Sequence, residues 1–166
     1  MPPRHSDLTL IDDPIAQELL RSTIPARLAY VWRDGSPRVV PLWFHWNGAE
    51  FVLGSPLEAP KVRMLSTGAK VALTIDSTTW PYKALQVRGT ARVETVAGVV
   101  PEYREAAARY LGAEPGRMWI EQVKALFSHM ARIAVRPEWV GIMDFERRFP
   151  SAIESAMSAH QGRGAQ

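Results

Sequence analysis

The hydrophobic and polar positions of this chain alternate in short runs. Leu28, Tyr30 and Trp32 interleave with Arg27, Ala29 and Arg33, and Asp34-Gly35 follows at once, so Arg27–Arg33 reads as a strand entering a hairpin. Arg38–Trp46 is too β-branched and aromatic for a helix and ends on an Asn47-Gly48 turn signal, with Phe51–Leu53 as its return strand. Pro41 inside that run demands a sheet edge, a bulge or a backbone facing something other than a strand. Val71, Leu73 and Ile75 alternate with Lys70, Ala72 and Thr74 to predict a strand over Lys70–Ser77, and a loop at Thr78–Pro81 leads to another over Lys83–Glu94. Arg132–Val135 and Trp139–Phe145 read as two final strands around an Arg136-Pro137-Glu138 turn.

Helical spacing appears in four places. Asp13-Pro14 followed by Ile15, Leu19 and Leu20 predicts a helix over Pro14–Arg21, stopped by Pro25. Val62, Leu65 and Ala69 predict a short helix opening at Pro60. Val99, Tyr103, Ala107, Tyr110 and Leu111 fall at threes and fours, as do Trp119, Val123, Leu126, Phe127 and Met130, with Gly112 and Glu114-Pro115-Gly116 dividing the two helices. Strands joined by turns too short for crossovers favour a closed antiparallel barrel with peripheral helices over a parallel sheet. One domain over residues 1–150 is expected, with 151–166 as a tail: an Ala/Ser-rich frayed helix, then disorder over Gly162–Gln166.

Composition narrows the chemistry. The chain has 166 residues and no cysteine, which excludes thiol catalysis, disulfides and Cys-type zinc or iron–sulfur sites. Its net charge of +3 suits an anionic ligand, but no Lys/Arg block points to nucleic acid. No apolar run is long enough to span a membrane and Met1–Leu10 has no secretory h-region, so a cytoplasmic location is expected. His45 and His129 lack metal-ligand spacing and read as structural, and no metal is expected.

The segment Ser55-Pro56-Leu57-Glu58-Ala59-Pro60-Lys61 stands out. Pro60 suits the first helical position, the free amides there attract an anion, and the Lys61 ammonium would complete a phosphate site; the other reading of Lys61 is a solvated surface lysine. With Arg38-Val39-Val40-Pro41-Leu42-Trp43 before it, the segment resembles the pyridoxamine 5′-phosphate oxidase-like, FMN-binding split β-barrel family over about Ala26–Phe145. The resemblance implies an antiparallel split barrel that is mainly β with peripheral helices, FMN as cofactor, and a homodimer with cofactor at the interface. It further implies that Lys61 holds the phosphate, that Ser55 at the strand end before it is among the cofactor-binding residues, and that the main chain of Val39, Val40, Pro41 and Leu42 meets the polar edge of the ring. Arg38 is a candidate for the phosphate or ribityl chain or a solvent-facing hairpin residue, and Arg63 joins Lys61 or lies on the wet face of its helix. Gln86 is a candidate ligand of the ring, with a solvated strand face as its alternative.

Trp43 stands where oxidases of pyridoxamine phosphate carry a basic residue, which argues against that substrate. Trp43 and Trp80 are expected near a ligand, while Trp32, Trp46, Trp119 and Trp139 are expected in packing. Members of the wider superfamily bind F420, for which Trp80-Pro81-Tyr82 would serve as a lid, or haem. The expected activity is hydride transfer between FMN and a small molecule; F420-dependent reduction and non-enzymatic flavin or haem binding stand as alternatives.

Overall fold

The computed structural model describes residues 7–65 and 68–163, the last two of these as backbone alone. The readings of Met1–Ser6 and Gly164–Gln166 lie outside that range. A 3-10 turn at Leu8–Asp12 leads into helix α1 (Pro14–Arg21), whose start follows from its cap: Asp13 Oδ1 accepts from the Ile15 amide at 3.0 Å, with Pro14 in the first turn. Strands β1 (Ala26–Val31), β2 (Pro37–Leu42), β3 (His45–Trp46) and β4 (Phe51–Pro56) follow, then helix α2 (Pro60–Leu65). After β5 (Lys70–Asp76) and β6 (Lys83–Ala97) come helices α3 (Pro101–Leu111) and α4 (Ala113–Leu126), the long strand β7 (His129–Asp144), and α5 (Ser151–Arg163). Among the described residues no helix is long and apolar enough to cross a membrane.

All strand pairs are antiparallel and form one seven-stranded sheet in the order β2-β1-β5-β6-β7-β4-β3. Its edges, β2 and β3, are separated in the chain by Trp43 and Phe44 alone. Three virtual bonds span at most about 11 Å, so the sheet curls until its edges nearly meet. No ladder joins β2 to β3 among the described residues, so the sheet is curled but open along that seam.

The run expected as one strand over Arg38–Trp46 is therefore two strands on opposite edges. Two packing demands break it. Phe44 turns into the main core against Phe51, with centroids 5.7 Å apart, while Trp43 turns outward onto Tyr110, with centroids 5.1 Å apart and planes 7° from parallel. Helix α3 clamps the seam: Arg109 donates to the carbonyls of Phe44 and Ser22, and the Tyr110 hydroxyl donates to the Ile24 carbonyl at 3.0 Å. Burial pushes the Tyr110 phenol up from its ordinary value, which keeps it a neutral donor here.

The end of the sheet also differs from the expected turn. Arg136-Pro137-Glu138 is no turn: β7 runs through it, paired with β6 on both sides. Arg88 faces Trp139 and Gly89 faces Pro137, so Glu138 is the extra residue of a bulge. Glu114-Pro115-Gly116 is likewise no linker but the first turn of α4, where proline is tolerated; Gly112 alone, at φ 90°, separates the helices. Helix α4 stops at Leu126, because Phe127 turns extended and Met130 belongs to β7.

The inward residues of the strands, Leu28, Leu53, Leu73, Ile75, Leu85, Val87, Ile133 and Val140 among them, form the main core, and α3 and α4 cover a smaller one around Val52, Val99, Ala107, Ile120 and Met130. An ion pair fastens α3 to β7, with both Arg132 and Glu102 mostly buried. The hydrogen bond from Arg132 holds the Glu102 carboxyl below its ordinary value against the opposing effect of burial. A carboxyl depressed in the folded state contributes stability that is present above its unfolded value and lost as pH falls through the folded one. Thermal melts at decreasing pH are thus expected to show a steeper acid loss in wild type than in Glu102→Gln; parallel curves would contradict this role.

Candidate functional site

The strand register builds an outer face that is open at its cavities, with no helix of the described residues lining them. One row crosses it as Val39–Ala29–Ala72–Arg88–Trp139 and the next as Pro41–Arg27–Thr74–Gln86–Gly141, running from β2 through β1, β5 and β6 to β7. Five strands place the ends of each row roughly 19 Å apart. Ala29 and Ala72 form a low floor between Val39 on one side and Arg88 with Trp139 on the other, and a cavity of about 310 Å³ lies above them. The Trp139 wall depends on a missing side chain, since a Cβ on Gly141 would stand 2.4 Å from the Trp139 ring. Arg88 covers the indole with its guanidinium 4.1 Å from the ring centroid.

Of the residues singled out in the sequence, Val39, Pro41 and Gln86 share this face, with Val39 and Gln86 lining the cavity. Pro41 sits on the edge strand, where its missing N–H costs no ladder bond to an outer neighbour. Val40 and Leu42 point the other way, onto the main core. Arg38 is exposed, its guanidinium 5.6 Å from the Trp32 ring.

Trp43 does not reach the groove. Its ring is stacked with Tyr110 and Tyr103, and Trp119 meets it edge-on at 6.3 Å. Trp80 is 64% exposed, in contact with Tyr82 and Phe145. Trp139, expected in packing, instead walls the groove; the sequence signal was the spacing Trp139-x-Gly141, which puts indole and glycine on one face of a strand.

Ser55, Lys61 and Arg63 lie away from these cavity walls, at the end of β4 and on α2. Ser55 is 1% exposed and its Oγ has no hydrogen-bond partner among the described residues. Lys61 is half-buried, makes no ion pair among the described residues, and its ammonium is pushed below the ordinary lysine value by desolvation alone. Arg63 is exposed on α2. With six residues, α2 supplies little dipole, so an anion held there would rely on side-chain cations such as the Lys61 ammonium rather than on the helix.

These groups fit a flat phosphorylated cofactor. A buried hydroxyl and a desolvated ammonium, neither matched among the described residues, stand six residues apart at one β–α junction. The groove offers an apolar floor, the free edge of β2, and a Gln86 amide with no side-chain partner among the described residues.

Fold and site together define a mainly β protein whose curled antiparallel sheet carries a groove on its outer face. The family model for pyridoxamine 5′-phosphate oxidase matches residues 13–144, and the chain belongs to that family. Among curated proteins, none matches. Among solved structures, an F420 reductase superimposes with a TM-score of 0.57 at 26% identity, over 76% of this chain and 94% of that one. HutZ, a heme storage protein from Vibrio cholerae, gives 0.57 at 20% identity over 80% and 93%. The FAD and heme binding protein from Mycobacterium smegmatis gives 0.56 at 21% identity over 94% and 80%. The latter two likenesses speak for the fold alone.

Proposed function

We propose that this protein is an oxidoreductase that binds FMN and catalyses hydride transfer to or from a small molecule, acting as a homodimer with the cofactor at the interface. The observation that carries the reading is the Lys61 ammonium, partly withdrawn from water with no carboxylate among the described residues to repay the cost. A phosphate dianion is the chemical counterpart that such a group lacks, and the unmatched Ser55 hydroxyl is a donor for the same ligand. Bound FMN would supply the hydride chemistry.

The chain's part is to hold and orient. Lys61 and Ser55 would take the phosphate, the β2 edge at Val39–Leu42 and the Gln86 amide would take the polar rim of the ring, and Ala29 and Ala72 leave room for a flat system against Trp139. Val31 and Val39, 57% and 61% exposed beside the groove, are apolar side chains that a second protomer would cover. F420 is the second reading, favoured by the F420 reductase that this chain matches over 94% of its length.

The test is the chromophore released on denaturing the purified protein. A flavin spectrum supports FMN, and a deazaflavin spectrum supports the second reading. A haem spectrum would overturn both.

A further inference from the structure

The groove does not end at the row through Thr74 and Gln86. A second cavity of about 490 Å³ shares Arg27, Thr74 and Gln86 with it and is walled on the far side by Tyr82, Met143 and Phe145. The Phe145 amide donates to the Tyr82 carbonyl at 3.0 Å and ties the two ring-bearing segments together. Trp80 packs on both rings, at 5.3 and 5.7 Å, yet it and Tyr82 remain 64% and 45% exposed. That is a rigid aromatic rim facing an open cavity.

The charges of this cavity are already matched. Arg27 pairs with Asp76 at 2.6 Å and Lys83 with Glu18 at 2.8 Å, so neither cation is free for an incoming anion. The polar groups left over are neutral. Thr74 and Gln86 face each other across β5 and β6, and neither side chain has a hydrogen-bond partner among the described residues. Partly buried in a cavity walled by rings, such groups favour a ligand that brings its own hydrogen-bonding atom and no charge.

We infer that this second cavity is the substrate subsite of the groove and takes a small, flat, uncharged molecule bearing a carbonyl or hydroxyl group. Its ring system lies against Tyr82 and Phe145, and its polar group meets Thr74 and Gln86. The inference rests on reading the adjoining groove as the cofactor site.

The experiment titrates the full chain, with and without FMN, with 2-naphthol and with 2-naphthoate, followed by ligand-observed NMR; FMN binding is measured separately. Saturable binding of 2-naphthol is expected, with 2-naphthoate weaker by about tenfold or more because its charge meets no free cation. Tyr82→Ala is expected to weaken 2-naphthol by about two- to tenfold through the lost ring contact. Thr74→Val, an isosteric change on the outer face, is expected to weaken it through the lost hydroxyl. Equal binding of the two probes, no binding of 2-naphthol, or indifference to both substitutions would overturn the subsite. Tyr82-dependent binding of 2-naphthol to a chain that takes up no FMN would support the subsite and remove the cofactor reading instead.

Discussion

Replacing Lys61 by Met is expected to lower FMN affinity by about 1–3 kcal/mol, which is roughly a 5- to 150-fold rise in Kd. The same change should leave the stability of the unliganded protein unchanged or raise it. The opposite signs follow from one fact: the ammonium is half-buried and desolvation is what displaces its pKa downward. A lysine depressed in the folded state costs stability at pH values below its folded pKa, and that cost is relieved as pH rises through the folded value toward the unfolded one. Met keeps the apolar stem and removes the charge, so the unliganded chain loses a penalty while the phosphate loses its partner. Calorimetric titration with FMN and thermal melts at neutral and alkaline pH read the two effects independently. An unchanged Kd would return Lys61 to the role of a surface lysine.

The largest stability effect is expected at Gly89. An added Cβ would stand 2.1 Å from the Arg136 carbonyl oxygen, and that neighbour is backbone, which cannot swing aside. Gly89→Ala should therefore cost about 3 kcal/mol or more, a drop in Tm on the order of 6–12 °C for a chain of this size. The clash sits in the β6–β7 bulge that leaves Glu138 without a ladder partner and carries Trp139 to the groove wall, so ligand affinity should fall with stability. Gly48→Ala is the control: Gly48 has φ 94° but nothing within 4 Å of the added carbon, so backbone strain alone applies, about 1 kcal/mol. Urea denaturation of both variants measures the difference; equal losses would show that the bulge does not depend on Gly89.

Much of the fold was legible because its causes are local. The Asp13-Pro14 cap, the Asp34-Gly35 hairpin and the alternation of Lys70–Asp76 each carry their element within a few residues, and each element stands within two residues of its expected ends. Two features were not legible, because their causes lie far away in the chain. The break at Trp43–Phe44 comes from helix α3, some sixty residues on, which gives Trp43 a stacking partner and binds the Phe44 carbonyl. The continuity of β7 through Pro137 comes from β6, whose Gly89 makes room for the bulge.

The site divides in the same way. Pro41 narrowed its strand to an edge, a bulge or a backbone facing no strand, and it stands on the edge; Lys61 was singled out by residue type, by its place after Pro60 and by family resemblance. That Pro41, Arg27, Thr74, Gln86 and Gly141 lie in one row is a matter of register among five strands, which no local pattern encodes. Trp139 was lost to packing for that reason, and Trp43 was placed by a ligand when its neighbours are the rings of α3 and α4.

One phosphorylated ring must reach both Ser55 and Lys61, unmatched among the described residues, and the groove behind β2. Equilibrium titration of the cofactor-stripped protein with FMN, followed by the fluorescence of the ring, measures this most directly. Saturable binding of one FMN per chain, weakened in Lys61→Met, is the predicted result. No saturable binding of FMN, or of F420 in a parallel titration, would contradict it.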